Sequence, residues 1–375
     1  MRLLTARLVD FRNIERAEFG FTQGCTALVG TNGQGKTNIL EALFGLSALR
    51  PLRPVRRSAL IRHGATQAKV RAHVAVERTG LVHDLEMELT RGTRTLTRDG
   101  KKVSAEDFLG KLVTVAFTPD DLAVTKGAPE ERRRLLDRAV LNRRPAFLRA
   151  ALRYHKAHKA RGRLLAESAD DGVLEAYDRV LAAEGGLILS ARARYVEELG
   201  PRVVATFSSI ARPAPEVAVR YRSSLAEGLD ASSSEATAAA LYANLVERRP
   251  RDRAMRSTSV GPHLDDLELR LDGAPLKDRA SQGQHRALVL SMKLAEIGLL
   301  TEALGEPPVL LLDDISSELD EGRTEQLFQA MATLKGQVVM TTTDPRQVPR
   351  LGFHDAPARF TVQEGRVSPI DPTIA

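Results

Sequence analysis

The sequence predicts an α/β protein in which a mixed β-sheet is combined with an α-helical arm. Three observations predict this class. Short apolar and β-branched runs with the character of strands occur at residues 2–9, 17–21 and 25–29. A glycine-rich segment at residues 30–37 separates the last of these runs from a stretch with helical spacing. Long helical patterns then dominate residues 129–199.

The glycine-rich segment reads GTNGQGKT and matches the pattern G-x-x-x-x-G-K-[ST] of a phosphate-binding loop. Because glycine has no Cβ, its backbone can approach phosphate oxygens closely at the positive end of the following helix. Lys36 is expected to reach the β- and γ-phosphates, and Thr37 to ligate Mg²⁺. The residues expected to bind nucleotide here are Gly30, Thr31, Asn32, Gly33, Gln34, Gly35, Lys36, Thr37 and Asn38. The loop alone does not choose between kinases, switches, motors and clamps.

A chain of 375 residues is long enough to divide into two or more domains. Lysine and arginine number 55 against 48 acidic residues, so the net charge is +7. This excess favours a polyanionic partner, but the placement of the charges is more informative than their sum. The single cysteine, Cys25, excludes an internal disulfide and a multi-cysteine zinc site, which suits a cytoplasmic protein. The sequence predicts neither a signal peptide nor a membrane span.

Strand patterns at residues 69–76, 82–89 and 94–98 predict an antiparallel sheet beside the nucleotide-binding core. Before them lies a segment, residues 49–57, that is too rich in proline for regular structure. Its basic residues are Arg50, Arg53, Arg56 and Arg57. These arginines either contact nucleotide phosphate or DNA, or form a solvated basic loop, and the sequence leaves both interpretations open.

The arm is predicted from helical patterns at residues 129–141, 147–165 and 173–199. The second pattern carries many basic side chains, which is typical of a surface that faces DNA. Candidate DNA contacts are Arg132, Arg133, Arg134, Lys156 and Lys159. The apolar spacing keeps no strict heptad and is interrupted by glycines, which argues against a long coiled coil. His155 and His158 are three residues apart without a nearby carboxylate or cysteine, so no metal site is predicted there.

After the arm, a helix is expected at residues 235–246 with Ser234 as its N-cap. The next decisive segment is ASQGQ, residues 280–284, which opens a helix predicted to run to about Leu304 with Ser281 as its N-cap. An apolar strand pattern at residues 307–314 then ends in two carboxylates, Asp313 and Asp314.

The two carboxylates have different expected roles. A buried strand that delivers an acid to the loop edge of the sheet suits a group that holds Mg²⁺ through water, and this role falls to Asp313. Asp314 is expected to orient the attacking water as general base. The alternative, a pair of acids in an ordinary turn, does not account for the order in which the loop, the helix and the acids occur.

These segments, in this order and over nearly the whole chain, resemble the RecF family of recombination mediators, bacterial relatives of the SMC and ABC-type ATPases. The motifs that carry the resemblance are GTNGQGKTNILEA from Gly30, KGAPEERRRLLD from Lys126, SVGPHLDD from Ser259, SQGQHRALVLSMKLAE from Ser281, LLLDDISSELD from Leu310 and TTTD from Thr341. The resemblance implies an ABC-type P-loop ATPase head with a mixed sheet and an α-helical arm domain. It divides the chain into head, arm and head again, at residues 1–125, 126–254 and 255–375.

The resemblance also implies ATP and Mg²⁺ as cofactors, a homodimer that forms on ATP, and weak ATP hydrolysis stimulated by DNA. One protomer's signature would complete the nucleotide site of the other through Ser281, Gln282, Gly283 and Gln284. The implied catalytic residues are Lys36, Asp314 and Ser281. A helix start is itself an anion-binding end. ATP between two copies would therefore contact the phosphate-binding loop of one copy and the helix start at Ser281 of the other. The implied partners are duplex DNA near single-strand gaps, and RecR and RecO, with which the family loads RecA in gap repair and replication restart.

Three features depart from the wider ABC pattern. The second acid of the pair is Asp314 rather than glutamate, the switch position usually held by histidine is Thr343 or Asp344, and residues 118–122 occupy the place of the glutamine loop without a glutamine. A shorter base and a missing imidazole predict slow hydrolysis, as in a timer rather than a motor.

Other functions are weaker interpretations of the same motifs. A chromosome-structural or end-processing protein of the SMC type is disfavoured by the absence of a long coiled-coil pattern. A transporter ATPase subunit is disfavoured by the basic helices between loop and signature. Stimulation of hydrolysis by DNA would distinguish a DNA-repair ATPase from such a subunit. A small-molecule kinase does not explain the signature followed by a strand and paired acids. Few aromatic residues are present, so phosphate contacts on duplex DNA are favoured over base stacking.

Overall fold

The computed structural model describes residues 1–167, 169–211, 215–225, 233–314, 320–348 and 355–370. The chain divides into two compact units. The first unit combines Met1–Asp121 with Met292–Ala375, and the second is Leu122–Ser291. Within the described ranges, no helix combines the length and the apolar character that a bilayer crossing requires.

Strands and helices are numbered in chain order. The strands are β1 Arg2–Phe11, β2 Ile14–Gly20, β3 Cys25–Val29, β4 Gln67–Val76, β5 Leu81–Thr90, β6 Arg94–Arg98, β7 Lys101–Lys102, β8 Thr114–Phe117, β9 Val217–Arg222, β10 Asp266–Leu271, β11 Ala274–Pro275, β12 Val309–Leu312, β13 Val338–Thr342, β14 Ala358–Gln363 and β15 Arg366–Pro369. The helices are α1 Lys36–Ala48, α2 Ala105–Phe108, α3 Ala123–Lys126, α4 Pro129–Arg143, α5 Phe147–Ala166, α6 Asp171–Ile210, α7 Ser234–Glu247, α8 Arg249–Met255, α9 Leu276–Arg279, α10 Gln282–Leu304 and α11 Glu321–Thr333. Short 3₁₀ turns cover Arg57–Leu60, Pro119–Leu122 and Pro345–Gln347.

A mixed sheet forms the centre of the first unit, in the order β15-β14-β3-β13-β12-β8. Its neighbours are parallel from β14 to β8, and β15 is antiparallel to β14. Strand β3 pairs on one side with β13, where Val29 lies opposite Thr342, and on the other side with β14. The carboxyl ends of these parallel strands therefore share one edge, to which β3 brings the glycine-rich loop and β12 brings the acids.

An antiparallel sheet in the order β2-β1-β4-β5-β6-β7 forms the other layer of the first unit, as the strand patterns predicted. Alternate residues of β1 and β4, among them Leu8 and Val70, are fully buried on its inner face. Helix α1 contacts strands of both sheets, and its apolar residues lie on all sides, including Ile39, Leu43 and Phe44. A helix that is apolar all round is stable only when it is enclosed, which is why α1 lies within the core.

The second unit consists mainly of helices, with a small antiparallel sheet in the order β11-β10-β9. Helix α6 packs on α5, α7 and β9 and contains 40 residues, or about 60 Å at 1.5 Å per residue. It is longer than predicted because it continues through Pro201. The turns beyond this proline are retained by the burial of Val203 and Phe207, since apolar burial offsets the lost backbone hydrogen bond.

One local expectation needs revision. The N-cap of α7 is Ser233, whose hydroxyl accepts from the Ala236 N–H at 3.2 Å, and not Ser234. Residues 255–291, which the resemblance assigned to the head, belong to the second unit, because β10 pairs with β9 along its whole length. Compact units do not by themselves define functional domains, so the division after residues 125 and 254 remains a prediction. The central part of the LLLDDISSELD motif, residues 315–319, lies outside the described residues.

Candidate nucleotide-binding site

The glycine-rich loop joins β3 to α1, as the sequence predicted. Gly35 is the N-cap of α1 and has a φ of 111°, a left-handed backbone conformation that residues with a side chain rarely adopt. A Cβ at Gly35 would lie 2.6 Å from Oδ1 of Asn13, and a Cβ at Gly30 would collide with the carbonyl oxygen of Val362. Both positions therefore require glycine because the chain packs directly against the loop.

Asn13, in the turn between β1 and β2, holds the loop from one side. Its Nδ2 donates to the carbonyl of Gln34 at 3.1 Å, and its Oδ1 accepts from Asn38 Nδ2 at 2.8 Å. Sequence reasoning did not select Asn13, although it treated the residues around it as the segment between two strands. Only the pairing of those strands shows that the turn reaches the loop.

Gln34 is held from the other side by the turn between β14 and β15. Its Oε1 accepts from the Glu364 N–H at 2.7 Å, and its carbonyl accepts from the Gly365 N–H at 2.9 Å. The side chain of Gln34 therefore supports the shape of the loop. By contrast, Thr31, Asn32 and Gly33 at the tip of the loop are exposed.

Lys36 is buried at the start of α1, and its Nζ donates to the carbonyls of Gly30 at 2.5 Å and Thr31 at 2.9 Å. Burial lowers the pKa of Lys36, and the carboxylates of Asp314 and Asp313 oppose that shift. The ammonium group is therefore positioned inside the loop, where phosphate oxygens would replace the carbonyls as its acceptors.

The two predicted metal residues meet at the edge of the mixed sheet. Asp313 follows β12 and is 1% exposed. Its Oδ1 accepts from Thr37 Oγ1 at 2.7 Å and from Thr341 Oγ1 at 2.9 Å. A hydroxyl that donates to a carboxylate still has lone pairs for a cation, so Thr37 and Asp313 together fit a magnesium site next to bound phosphates.

Asp314 has a positive φ of 46°, and its N–H donates to Thr341 Oγ1 at 2.9 Å. Aspartate adopts this left-handed region more readily than most residues, and such conformations concentrate at functional sites. The charge of its carboxylate opposes the lowering of the Lys36 pKa.

Two carboxylates occupy the place of the missing glutamine loop. Asp121 accepts from the Thr118 N–H at 2.7 Å and forms a 2.7 Å ion pair with the buried Lys293 of α10. Asp120 forms a 3.1 Å ion pair with Nε of Arg53, from the proline-rich segment. The Nη2 atom of the same guanidinium lies 3.5 Å from Oδ2 of Asp313. Arg53 therefore lies beside the acid of the site, and its contact with nucleotide phosphate or DNA remains a prediction.

Asp344, one of the two residues at the switch position, caps the turn that follows β13. Its Oδ1 accepts from the Arg346 N–H at 2.9 Å, and its carboxylate also binds the Arg346 guanidinium. This partner lowers the pKa of Asp344 below its usual range. Thr343 is exposed.

The signature forms a reciprocal capping box at the start of α10, in the second unit. Ser281 Oγ accepts from the Gln284 N–H at 3.2 Å, and Gln284 Oε1 accepts from the Ser281 N–H at 2.7 Å. This confirms Ser281 as the N-cap. Lys126, from the motif that begins KGAPEE, donates to Gln282 Oε1 at 2.5 Å. This contact fixes the side chain of Gln282, the residue after Ser281.

Two arginines of α4 link this helix to the start of β10 in the second unit. Arg132 is 13% exposed and makes a two-pronged ion pair with Asp266 at 2.7 and 2.9 Å. Arg133 donates to the carbonyl of Asp265 at 2.8 Å, and Arg134 pairs with the neighbouring acids of its own helix. Contacts of these three residues with DNA remain a prediction, although each has an internal partner.

Lys156 and Lys159 are exposed on α5. They share one face with other exposed basic residues, Arg149, Arg153 and Arg163. On the other side of α5, Tyr154 bonds to His263 Nδ1 at 2.7 Å, and His158 packs on the same imidazole at 4.1 Å between ring centroids. Among the described residues, no cluster of three or more histidine, cysteine or acidic side chains has the arrangement of a metal site.

Comparison with known proteins places this geometry in a family. A model of the RecF/RecN/SMC N terminal domain matches residues 3–368. The DNA replication and repair protein RecF of Myxococcus xanthus is 47% identical over 348 residues, which cover 92% of this chain and 91% of that protein. RecF of Anaeromyxobacter dehalogenans is 43% identical and covers 99% of this chain and 100% of its own.

Solved structures agree with this placement. The recombination mediator RecF of the RecFOR pathway, solved with ATP, superimposes with a TM-score of 0.89 at 28% identity and covers 98% of this chain and 97% of its own. An SMC head bound to the C-winged helix domain of ScpA has a TM-score of 0.54 at 18% identity, with 99% and 98% covered, which reflects the fold alone. Together with the mixed sheet, these matches confirm the predicted α/β class of ATPase head.

Proposed function

The chain belongs to the RecF family, and from that premise we propose that it is an ATP-controlled DNA-binding protein of gap repair and replication restart. One observation carries the proposal: the hydrogen bond from Thr37 to Asp313, which joins the phosphate-binding loop to the acid at one edge of the sheet. The relatives are DNA replication and repair proteins by name, and such a role fits the cytoplasm.

ATP with Mg²⁺ is the cofactor that these residues fit. Lys36 would hold the terminal phosphates, and the loop would follow them with its backbone. Thr37 would ligate the metal directly, and Asp313 would hold it through water. When bound, Mg²⁺ would supply positive charge that neutralises the phosphates and favours attack at the terminal one.

Hydrolysis is proposed to be slow and stimulated by DNA. Asp314 would accept the proton of the attacking water, with its backbone fixed by the bond to Thr341. Its carboxylate is one methylene shorter than glutamate, so it reaches less far toward the water. At the switch position, Asp344 is already paired with Arg346. Its ionised carboxylate can only accept hydrogen bonds, so it cannot replace the imidazole that donates one at other ABC-type sites.

Dimerisation on ATP is proposed because each copy carries two separate phosphate-binding ends. One is the loop at α1, and the other is the capped start of α10 at Ser281. The γ-phosphate would add contacts to Ser281 and Gln284 of a second copy only before hydrolysis. A ligand with such differential contacts shifts the monomer–dimer equilibrium toward the dimer.

Duplex DNA near single-strand gaps is the proposed polyanion, with RecR and RecO as protein partners and RecA as the protein loaded. The exposed basic face of α5 supports this proposal. Its residues Arg149, Arg153, Lys156, Lys159 and Arg163 lie on one side of a helix about 30 Å long. Contacts of this kind neutralise phosphates without reading sequence.

Sedimentation of the purified chain tests the proposal, with ATP or ADP and with or without gapped duplex DNA. We expect a dimer with ATP alone, none with ADP, and retention of the ATP dimer on the gapped DNA. Fully single-stranded DNA of the same length is the control for the duplex. A chain that remains monomeric and ignores DNA in every condition would contradict the proposal, even if it binds ATP.

A further inference from the structure

The guanidinium of Arg53 lies between two carboxylates of the first unit. Its Nε is 3.1 Å from Asp120, and its Nη2 is 3.5 Å from Asp313. The side chain of Arg53 is 47% exposed, whereas that of Asp313 is 2% exposed. Arg53 is thus a half-exposed cation at the mouth of the site, in contact with a buried anion.

The two oxygens of Asp313 have separate partners. Oδ1 accepts hydrogen bonds from Thr37 and Thr341, which are both part of the sheet edge. Oδ2 faces Arg53. A buried carboxylate without a counter-charge is costly, so Arg53 compensates the charge of Asp313 in this arrangement. The oxygen that is left for a hydrated cation is the one that Arg53 approaches.

We propose that Arg53 is an internal counter-cation, which neutralises Asp313 in the nucleotide-free site and is displaced when a divalent ion enters with nucleotide. The inference rests on the proposed nucleotide site and adds a control on its loading. After displacement, the Nε of Arg53 would keep its ion pair with Asp120, so the arginine side chain would stay beside the site.

This arrangement makes the entry of metal depend on nucleotide. A divalent ion and a guanidinium repel each other at the distance of one shared carboxylate oxygen. Without nucleotide, the ion would gain Thr37 and Asp313 from the described part of the site and would have to expel Arg53. With nucleotide, phosphate oxygens add ligands and negative charge, which offset the loss of the Arg53 contact. The site therefore discriminates against free metal.

The test measures metal binding directly. Mn²⁺ is titrated into the full chain without nucleotide, and free Mn²⁺ is followed by its electron paramagnetic resonance signal. We expect Arg53→Ala to tighten Mn²⁺ binding by about tenfold, and the gain to shrink when saturating ADP is present. Arg53→Lys keeps the charge but cannot contact Asp120 and Asp313 together. Its Mn²⁺ affinity is expected to lie between those of the unchanged chain and Arg53→Ala.

Two further variants separate a contact from a general charge effect. Arg56→Ala removes an exposed arginine of the same segment and should leave Mn²⁺ binding unchanged. Asp313→Asn in the Arg53→Ala background should abolish the gain. Unchanged Mn²⁺ affinity in Arg53→Ala, or an equal gain in Arg56→Ala, would overturn the inference. Either result leaves ATP-dependent dimerisation on DNA unaffected, so a failure here is distinct from a failure of the proposed function.

Discussion

Thr37 Oγ1 lies 2.7 Å from Oδ1 of Asp313, although 276 residues separate them in the chain. Strand β3 precedes the loop that carries the first residue, and β12 ends at the second. Because β13 pairs with both strands, the three carboxyl ends lie side by side. The contact is therefore a consequence of sheet order rather than of any local sequence.

Asp313→Asn tests the role of this contact. The amide keeps the shape of the side chain but removes the charge, so we expect Mg²⁺ to lose its effect on nucleotide affinity and hydrolysis to fall by at least about 100-fold. Fluorescent ADP titrated with and without Mg²⁺ measures the first effect. Thr341→Val removes another hydrogen bond to the same oxygen but keeps the charge of Asp313, so it is the control for the nucleotide titration, where a smaller loss of the Mg²⁺ effect is expected.

Asp314→Asn is expected to reduce ATP hydrolysis by about 10² to 10⁴-fold, the usual range for a general base, and to leave ATP binding intact. Asp314→Glu restores the longer side chain and is expected to hydrolyse ATP faster than the natural chain. Single-turnover hydrolysis with radiolabelled ATP measures both variants. A faster Asp314→Asn variant would assign the base to another residue.

Ser281→Arg is expected to block ATP-dependent dimerisation, because a bulky cation at the signature would meet Lys36 of the other copy. Nucleotide binding by the monomer should remain. Since the change also removes an N-cap worth about 1 kcal/mol, Ser281→Ala serves as the control for lost capping alone. Sedimentation with ATP distinguishes the two, and normal dimers of Ser281→Arg would contradict the sandwich.

Asn13→Ala is expected to weaken nucleotide binding by up to about 30-fold, since it removes two hydrogen bonds that fix the loop, each worth about 1 kcal/mol. Asn13→Asp can still accept from Asn38, but it sets a carboxylate oxygen against the carbonyl of Gln34 and adds negative charge beside the loop, so a loss at least as large is expected. Calorimetric titration with ADP provides the comparison. Equal affinities in all three proteins would show that the loop is preorganised without this turn.

The double variant Lys156→Ala, Lys159→Ala tests the basic face of α5. We expect weaker binding to duplex DNA and a salt dependence whose slope falls by roughly two, one for each lost phosphate contact. Lys101 and Lys102 of β7 are also exposed and adjacent, so their alanine variant is the matched control. Fluorescence anisotropy over a range of salt concentrations measures both. An identical slope in the α5 variant would exclude these lysines as contacts.

Much of the site could be predicted because its motifs are local in sequence. The loop at residues 30–37 and the capping box at Ser281 depend on near neighbours, and a buried strand that ends in acids is recognisable by its pattern. Asn13 and Arg53 were not assigned, because their roles depend on contacts across the sheet edge that spacing does not encode. The partner of Arg132, Asp266, is likewise distant in sequence, and for that reason the arginine looked like a surface charge.

The fold could likewise be predicted where it depends on local sequence patterns, but not where it depends on tertiary packing. Strand alternation located β4 and β5 to within two residues, but the end of α6 depended on whether burial beyond Pro201 outweighs a lost hydrogen bond. That balance is set by tertiary packing, which a helical pattern does not contain.

The position of β3 between β13 and β14 has a consequence for synthesis of the protein. When the loop leaves the ribosome, both neighbours of its strand are still some 300 residues away, as are the N–H groups of Glu364 and Gly365 that hold Gln34. A nascent or truncated chain therefore carries the complete loop sequence without its supports. ATP binding would thus report that translation has reached the last strands of the chain.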